Sequence, residues 1–288
     1  MALALRNSIS IKVLEADKID KGVGSSEIPF SGEGASKKLV TANPRVYDTN
    51  IGILRISVHW GNPDDALRIA QVLSTQMIEQ DKTEKSLQYD QSQKFFEFPE
   101  SVKLKYSDDA LAGQRGYTGW GKEHAKGKNV GDLKEFWHFG QELSENSKYL
   151  KEYPDNVIVE ELSEFNQVGQ EVYKKLEETG IYVLRALALF MGLDEFYFDD
   201  FIKEGNSILR PIHYPPITEE PHEAVRAAAH TDINLITLLM GAQGKGLQVQ
   251  NHEGDWIDAI AEENELMINV GDMLSRHTNN KLKSTIHQ

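Results

Sequence analysis

The sequence predicts an α+β fold in which helices support an antiparallel sandwich or barrel. Two observations lead to this prediction. Apolar residues recur at helical spacing through residues 160–191. After Gly205 the chain consists of short segments rich in Ile, Leu and Val, most of them separated by Gly, Pro or Asn. A helical part followed by a β-rich part favours a double-stranded β-helix, or jelly roll, buttressed by the preceding helices.

The first part of the chain predicts these elements in order. Residues 18–44 combine Gly, Ser, Lys and Glu with two prolines, which indicates irregular structure. Residues 64–93 carry apolar side chains three and four positions apart, which predicts an amphipathic helix. The glycine- and aromatic-rich residues 112–121 predict a loop that packs against the core through Tyr117 and Trp120.

The apolar stripe of residues 160–191 predicts the strongest helix, a scaffold that covers one face of a sheet. Gly180 is expected to break this helix into two pieces, since glycine is a poor helix former. We expect residues 1–205 to form a mainly helical N-terminal region. Residues 206–288 are expected to form the jelly-roll core, and the two regions are expected to pack as one integrated unit.

Composition limits the classes of partner. The chain has 288 residues and a net charge of -14, from 45 acidic and 31 basic residues. Such a chain lacks the basic surface that binds a phosphate backbone, which argues against a nucleic-acid partner. No segment approaches the roughly 20 apolar residues that a membrane span needs, and the N-terminus lacks the apolar core of a secretory signal. We therefore expect a cytoplasmic protein that acts on a small molecule.

The His-Thr-Asp triplet at residues 230–232 suggests a metal site. In a strand, side chains alternate between faces, so His230 and Asp232 are expected to share one face. His287, from a distant strand, would complete the two-histidine, one-carboxylate set that holds Fe(II). Because the chain has no Cys, a transition metal needs such ligands. A lone His-x-Asp is weak support, because a histidine on an apolar strand is more often a core residue. His124 and His138 are expected in loops, as surface residues or neighbours of the site.

Several ordered segments resemble one enzyme family. They are RGYTGWGKEHAK, GDLKEFWHFGQEL, LRPIHYPP, RAAAHTDINLITLLM, GLQVQNHEGDWIDA and MINVGDMLSRHTNNKLKSTIH, which together lie within residues 95–288. Over this range the chain resembles the isopenicillin N synthase-like branch of the Fe(II)/2-oxoglutarate-dependent oxygenases. The first 90 residues match this family poorly.

The resemblance implies a cofactor set and a reaction class. It makes His230, Asp232 and His287 the ligands of Fe(II), and it makes Tyr214 a contact of the distal carboxylate of the cosubstrate 2-oxoglutarate. With O2, such a site hydroxylates, desaturates or ring-closes a small molecule. The loop from Arg115 to Trp120 would then border the substrate. Tyr214 is equally compatible with a packing role beside its Pro-Pro turn, and Arg210 is interpreted as a surface or salt-bridge residue.

The chain departs from the family at its C-terminal end. Members of the family carry an Arg-x-Ser pair beyond the distal histidine, and its Arg binds the 2-oxoglutarate carboxylate. This sequence ends at Gln288, and we expect it to be a fragment of a longer enzyme. Two alternatives therefore stay open. One is an oxidase of the isopenicillin N synthase type, which needs no 2-oxoglutarate, and the other is a truncated, non-catalytic metal-binding scaffold.

Overall fold

A computed structural model describes residues 9–13, 53–58, 79–124, 130–218, 224–240, 246–251, 253–259 and 266–288. The chain divides into two compact units, which are Met1–Glu79 together with Ala229–Gln288, and Gln80–Ala228. The sequence predicts a boundary between residues 205 and 206, at which a mainly helical region is followed by a β-rich one. This boundary stays a prediction. The predicted irregular segment 18–44 and much of the predicted helix 64–93 lie outside the described residues. In the described part of the chain, none of the helices has the length and apolar character needed to cross a membrane.

The described elements are α-helices and β-strands, the two types that the sequence predicts. The elements in chain order are β1 (Ile9–Val13), β2 (Ile53–Val58), α1 (Glu79–Phe96), α2 (Glu100–Lys103), β3 (Gly116–Thr118), β4 (Glu135–Gly140), α3 (Ser163–Phe190), α4 (Asp199–Ile202), β5 (Ile208–Leu209), β6 (Ile212–His213), β7 (Ile236–Met240), β8 (Gln248–Gln250), β9 (Trp256–Asp258), β10 (Leu266–Val270) and α5 (Asp272–His277). Short 3-10 helices follow α2 at Leu104–Tyr106 and Asp109–Leu111.

Helix α3 is the long helix that the apolar stripe predicts. It runs for 28 residues without interruption, so the break expected at Gly180 is wrong. One glycine costs a helix about 1 kcal/mol relative to alanine. Buried side chains such as Val172 and Leu184 lie on both sides of Gly180, and their burial outweighs that cost.

The sheet of the unit Gln80–Ala228 is built around β4. Strand β3 pairs with one edge of β4, and β5 and β6 both pair with the other edge, all antiparallel. Strands β5 and β6 are both short, and Arg210 and Pro211 separate them. Proline has no N–H to donate, but its carbonyl still accepts a hydrogen bond from the Trp137 N–H at 3.0 Å.

Every residue of β4 is buried, and its aromatic side chains form the centre of this unit's core. The Phe95 ring of α1 stacks on Phe165 of α3 at 5.0 Å between centroids, and it meets Trp137 edge-on at 4.9 Å. Aromatic pairs of this kind stabilise a core by about 0.5–1.5 kcal/mol each beyond their buried area. The two helices thus pack together against the Trp137 side of the central strand.

A buried carboxylate ties four elements of this unit together. Glu135 of β4 accepts hydrogen bonds from Lys103 Nζ at 2.7 Å, from the Tyr117 hydroxyl at 2.5 Å, and from His213 Nδ1 at 2.7 Å. Burial alone would raise the pKa of Glu135, but these hydrogen bonds lower it overall. Glu135 therefore stays ionised inside the protein.

The unit Met1–Glu79 with Ala229–Gln288 contains a second antiparallel sheet, with strand order β1-β2-β10-β7. Strands β8 and β9 form a separate pair, in which Val249 lies opposite Ile257. Helix α5 begins directly after β10, and its first residues approach the turn that precedes β7. Gly271 permits this approach, since a Cβ at that position would lie 2.1 Å from the carbonyl oxygen of Asn234.

We expect the substitution Gly271→Ala to lower the free energy of unfolding by about 1–3 kcal/mol, because the added methyl group must push two backbones apart. Gly119→Ala is the matched control, since a Cβ at Gly119 would meet its nearest neighbours at an ordinary 3.6 Å. Urea unfolding followed by circular dichroism measures both variants. Equal stabilities for the two variants would contradict the proposed close approach.

Glu135→Gln should reduce the stability in a pH-dependent manner. The lowered pKa of Glu135 stabilises the folded state above the unfolded-state pKa of about 4.3, and this stabilisation is lost as the pH falls through the folded-state pKa. At pH 7 the variant leaves the buried Lys103 charge without its partner, which costs about 3 kcal/mol.

This difference from the wild type should shrink toward pH 3 in urea unfolding experiments. Glu142→Gln serves as the control, because the Glu142–Lys174 ion pair lies on the surface and its loss should cost less than about 1 kcal/mol. A difference for Glu135→Gln that stays constant with pH would argue against the ionised state of Glu135.

Candidate metal centre

Three side chains with metal-binding atoms converge in the unit that contains Ala229–Gln288. One ligand atom each from His230, Asp232 and His287 lies within 4.8 Å of the others. Asp232 Oδ1 is 3.9 Å from His230 Nε2 and 3.7 Å from His287 Nε2. Within the described ranges, no other group of three His, Asp or Glu side chains has this spacing.

The backbone brings the two histidines together. The N–H of His230 donates to the carbonyl of His287 at 2.9 Å, and the N–H of His287 donates to the carbonyl of His230 at 2.9 Å. Residues that exchange both bonds in an antiparallel pair lie directly opposite each other, with their side chains on the same face. Their ring centroids are accordingly 4.4 Å apart, although the residues are 57 positions apart in the sequence.

The segment that carries His287 is paired on its other edge as well. Gln248 and Gln288 exchange both backbone hydrogen bonds at 3.0 Å, and the N–H of Gln250 donates to the carbonyl of Ile286 at 2.9 Å. This pairing with β8 places buried Val249 opposite His287. The position of His287 is therefore fixed from both sides.

The sequence predicts a regular strand for the His-Thr-Asp triplet, but the structure has none there. His230 forms an isolated bridge, and β7 begins only at Ile236. The start of α5 holds the intervening turn instead, because the N–H of Asp272 donates to the carbonyl of Asp232 at 2.7 Å. The Thr231 hydroxyl donates to the Asp272 carboxylate at 3.1 Å. Thr231 thus contacts α5, whereas His230 and Asp232 face each other.

Hydrogen bonds also orient two of the three candidate ligands. His287 Nδ1 lies 3.1 Å from the carbonyl oxygen of Thr285. A carbonyl can only accept, so Nδ1 carries a proton, and Nε2 is the ring nitrogen that faces the cluster. The Thr237 hydroxyl donates to Asp232 Oδ2 at 2.7 Å. Sequence reasoning did not identify Thr237 or Thr285 as neighbours of the candidate ligands. For Thr237, the available signal was a hydroxyl side chain within the otherwise apolar segment that forms β7.

These donor atoms fit a divalent transition metal. Two imidazole nitrogens and one carboxylate oxygen are the set that holds mononuclear Fe(II) and leaves further positions open. Ligands about 2.1 Å from a metal lie about 3 Å from each other when they occupy adjacent positions. The observed separations of 3.7 and 3.9 Å are slightly larger. Small side-chain rotations would therefore be enough to close the set around an ion.

Tyr214 and Arg210 belong to the other unit, Gln80–Ala228. Tyr214 is 37% exposed, and burial raises the pKa of its phenol, which keeps the hydroxyl protonated. Arg210 forms an ion pair with Glu123 at 3.2 Å and lies over the Phe136 ring at 4.4 Å. The interpretation of Arg210 as a salt-bridge residue is confirmed.

His138 is a buried residue of β4, so its assignment to a loop is wrong. Its Nδ1 contacts the carbonyl of Gly113 at 2.6 Å, and its Nε2 accepts from Arg210 Nε at 2.5 Å. Burial, reinforced by the nearby Arg210 charge, lowers the pKa of His138 to about 3. His138 is therefore a neutral residue that holds the Arg210 guanidinium, and both of its ring nitrogens are occupied.

The loop expected to border the substrate is only partly as predicted. Tyr117 packs in the core, but Trp120 is exposed. Arg115 is fully buried, with its guanidinium bonded to Asn206 Oδ1 and to the carbonyl of Gln114, both at 2.8 Å. Gly140 makes room for it, because a Cβ there would lie 1.9 Å from Arg115 Cζ. Within its unit, Arg115 is a packing residue.

Comparisons with known proteins identify the family. Residues 205–288 match the 2OG-Fe(II) oxygenase superfamily, and residues 71–161 match the region described as the N-terminal part of the non-haem dioxygenase in morphine synthesis. A 2OG-Fe(II) oxygenase family protein from Caulobacter crescentus is 37% identical in sequence, with a TM-score of 0.67. That match covers 78% of this chain and 76% of the other.

Other relatives have named activities or ligands. A full-length protein from Neurospora crassa, crystallised in complex with alpha-KG, is 32% identical over 71% of this chain and 64% of its own, with a TM-score of 0.62. A 2-oxoglutarate-Fe(II) type oxidoreductase from Emericella nidulans is 29% identical over 90% of this chain and 72% of its own length. Homoarginine-6-hydroxylase from Arabidopsis thaliana is 30% identical over 67% of this chain and 55% of its own length.

The chain belongs to the 2OG-Fe(II) oxygenase family, whose members use Fe(II), 2-oxoglutarate and O2. The predicted family and the predicted α+β class with a double-stranded β-helix are confirmed. The matched region spans 72% of the length of the Emericella nidulans relative and 53% of that of a leucoanthocyanidin dioxygenase from Malus domestica.

Proposed function

We propose that this protein is a non-haem Fe(II), 2-oxoglutarate-dependent oxygenase that hydroxylates, desaturates or ring-closes a small molecule. His230, Asp232 and His287 are the proposed iron ligands. The observation that supports this proposal most directly is the backbone pairing of the two histidines, which aims both rings at Asp232 Oδ1. Membership of the family supports the same proposal and favours it over the oxidase and scaffold alternatives.

Fe(II) held by His230, Asp232 and His287 would supply the oxidising chemistry together with O2 and 2-oxoglutarate, which would be released as succinate and CO2. The protein's own residues set up this chemistry. Asp232 contributes a negative charge that balances part of the metal charge. The hydrogen bond from His287 Nδ1 to Thr285 fixes the ring tautomer that can bind a metal. With three protein ligands, the metal would keep further coordination positions for the cosubstrate and O2.

Tyr214 is the proposed contact of the distal carboxylate of 2-oxoglutarate. Its raised pKa keeps the phenol protonated near neutral pH, so the hydroxyl is able to donate a hydrogen bond to a carboxylate. The proposed substrate is a small molecule, since thymine and alpha-KG accompany the related Neurospora crassa protein in its crystals. The net charge of -14 argues against a nucleic-acid substrate, and the proposed location is the cytoplasm.

The first experiment is an anaerobic Fe(II) titration of the purified protein, with and without 2-oxoglutarate. A weak visible charge-transfer band that requires both components would support chelation of 2-oxoglutarate by the bound iron. Succinate formed from 2-oxoglutarate under O2 would distinguish the oxygenase from the oxidase. Stoichiometric iron without a band and without succinate would contradict the proposal.

Alanine at His230, Asp232 or His287 should weaken Fe(II) binding by more than about 100-fold, because even loss of a group that only orients a ligand costs 10–100-fold. His124→Ala is the matched control, since His124 is exposed and belongs to no described cluster. Isothermal titration under anaerobic conditions measures the affinity of each variant. An affinity of the His287 variant similar to that of the His124 variant would exclude His287 as a ligand.

Tyr214→Phe should weaken 2-oxoglutarate binding by about 10-fold, because a hydrogen bond to a charged group contributes about 1.5 kcal/mol or more. Fe(II) affinity should not change. Tyr197→Phe is the control, because Tyr197 has the same 37% exposure as Tyr214 and lies in the same unit. The charge-transfer band, titrated with 2-oxoglutarate, measures the affinity. Unchanged cosubstrate affinity in Tyr214→Phe would assign the carboxylate contact to another residue.

A further inference from the structure

We propose that Thr237 is a positioning residue that holds Asp232 as a ligand through one oxygen only. This inference rests on the proposed function, because it concerns the same metal ligand. Thr237 is the second residue of β7, and its backbone is held opposite Asn269 of β10. Its hydroxyl donates to Asp232 Oδ2 at 2.7 Å. The other carboxylate oxygen, Oδ1, is the atom that lies near His230 and His287.

The direction of this hydrogen bond is determined by a third residue. Asn234 Nδ2 lies 2.8 Å from Thr237 Oγ1. An amide nitrogen can only donate, so Thr237 uses a lone pair toward Asn234 and its one proton toward Asp232. Asn234, Thr237 and Asp232 thus form a chain of two hydrogen bonds that run in the same direction. Such chains strengthen their individual bonds by mutual polarisation.

Asn234 is itself held in place by the start of α5. Its carbonyl accepts from the N–H of Met273 at 3.1 Å, and Gly271 allows the close contact between the two segments. This hydrogen-bond chain ends at Oδ2 of Asp232, whereas Oδ1 is the oxygen near the histidines. It links Oδ2 to the β7–β10 pairing and to the start of α5. The carboxylate cannot rotate without breaking the bond from Thr237.

This restraint has a consequence for the metal. A carboxylate is able to bind a metal through one oxygen or through both, and the second mode occupies a further coordination position. With Oδ2 held by Thr237, Asp232 offers Oδ1 alone. Thr237 therefore preserves positions that the proposed function requires for 2-oxoglutarate and O2. Without its hydroxyl, Asp232 would be free to turn and offer both oxygens.

The test compares Thr237→Val, which keeps the shape but removes the hydroxyl, with Thr237→Ser, which retains the hydroxyl. Anaerobic titrations measure Fe(II) affinity, and the visible absorption spectrum of the Co(II)-loaded protein reports the coordination of the metal. Thr237→Val should bind Fe(II) about 10–100-fold more weakly and show an altered Co(II) spectrum. Thr237→Ser should restore both toward the wild type, which a purely structural role would not require.

Thr231→Val is the matched control. It removes a hydroxyl one residue from Asp232, but that hydroxyl bonds to Asp272 and not to a candidate ligand. Its Co(II) spectrum should match that of the wild type. Asn234→Ala is a second test, independent of the fold of Thr237→Val, and it should shift the Co(II) spectrum in the same direction to a smaller extent.

The failures of the two proposals are distinguishable. If the wild type binds neither Fe(II) nor Co(II) at this site, the proposed function and the role of Thr237 both fail. If the wild type binds metal and Thr237→Val shows the same affinity within twofold and the same Co(II) spectrum, only the role of Thr237 is overturned.

Discussion

The two hydrogen bonds exchanged between the main chains of His230 and His287 are the constraint on which the candidate metal centre depends. They join positions far apart in the sequence and need no particular side chain. Their effect is to fix a register, because a slip of one residue would turn the imidazole of His287 to the opposite face. Pairing of the same segment with β8 prevents this slip. The backbone pairing therefore brings the two histidines together without any contribution from a bound metal.

The third ligand depends on a different kind of support. Asp232 lies in a turn, where backbone carbonyls have no strand partner. The N–H groups at the start of α5 would otherwise be unpaired, and they bond to these carbonyls. The carbonyls of the turn and the N–H groups of α5 thus pair with each other, and Gly271 provides the space for this contact. Thr237 and Asn234 then act on the side chain of Asp232, so backbone and carboxylate are restrained separately.

Sequence reasoning identified the family, and it singled out the three side chains that the structure brings together as candidate metal ligands, because both depend on residue type and spacing. It also identified α3, whose apolar stripe is long. It failed where tertiary packing decides the outcome. Gly180 continues the helix because its neighbours are buried, and His138 and Arg115 are polar residues buried in specific hydrogen-bonding surroundings that no local pattern reveals. The expected alternation around Thr231 occurs, but α5 enforces it and not a regular strand.

The two candidate histidine ligands differ in their access to water. The side chain of His230 is 42% exposed, whereas that of His287 is only 10% exposed. An ion arriving from solvent would meet His230 first, and His287 would complete the set from within the protein. Departure would follow the reverse order. The buried His287 would therefore be the first to release an ion that a chelator removes, and the exposed His230 would keep the last contact.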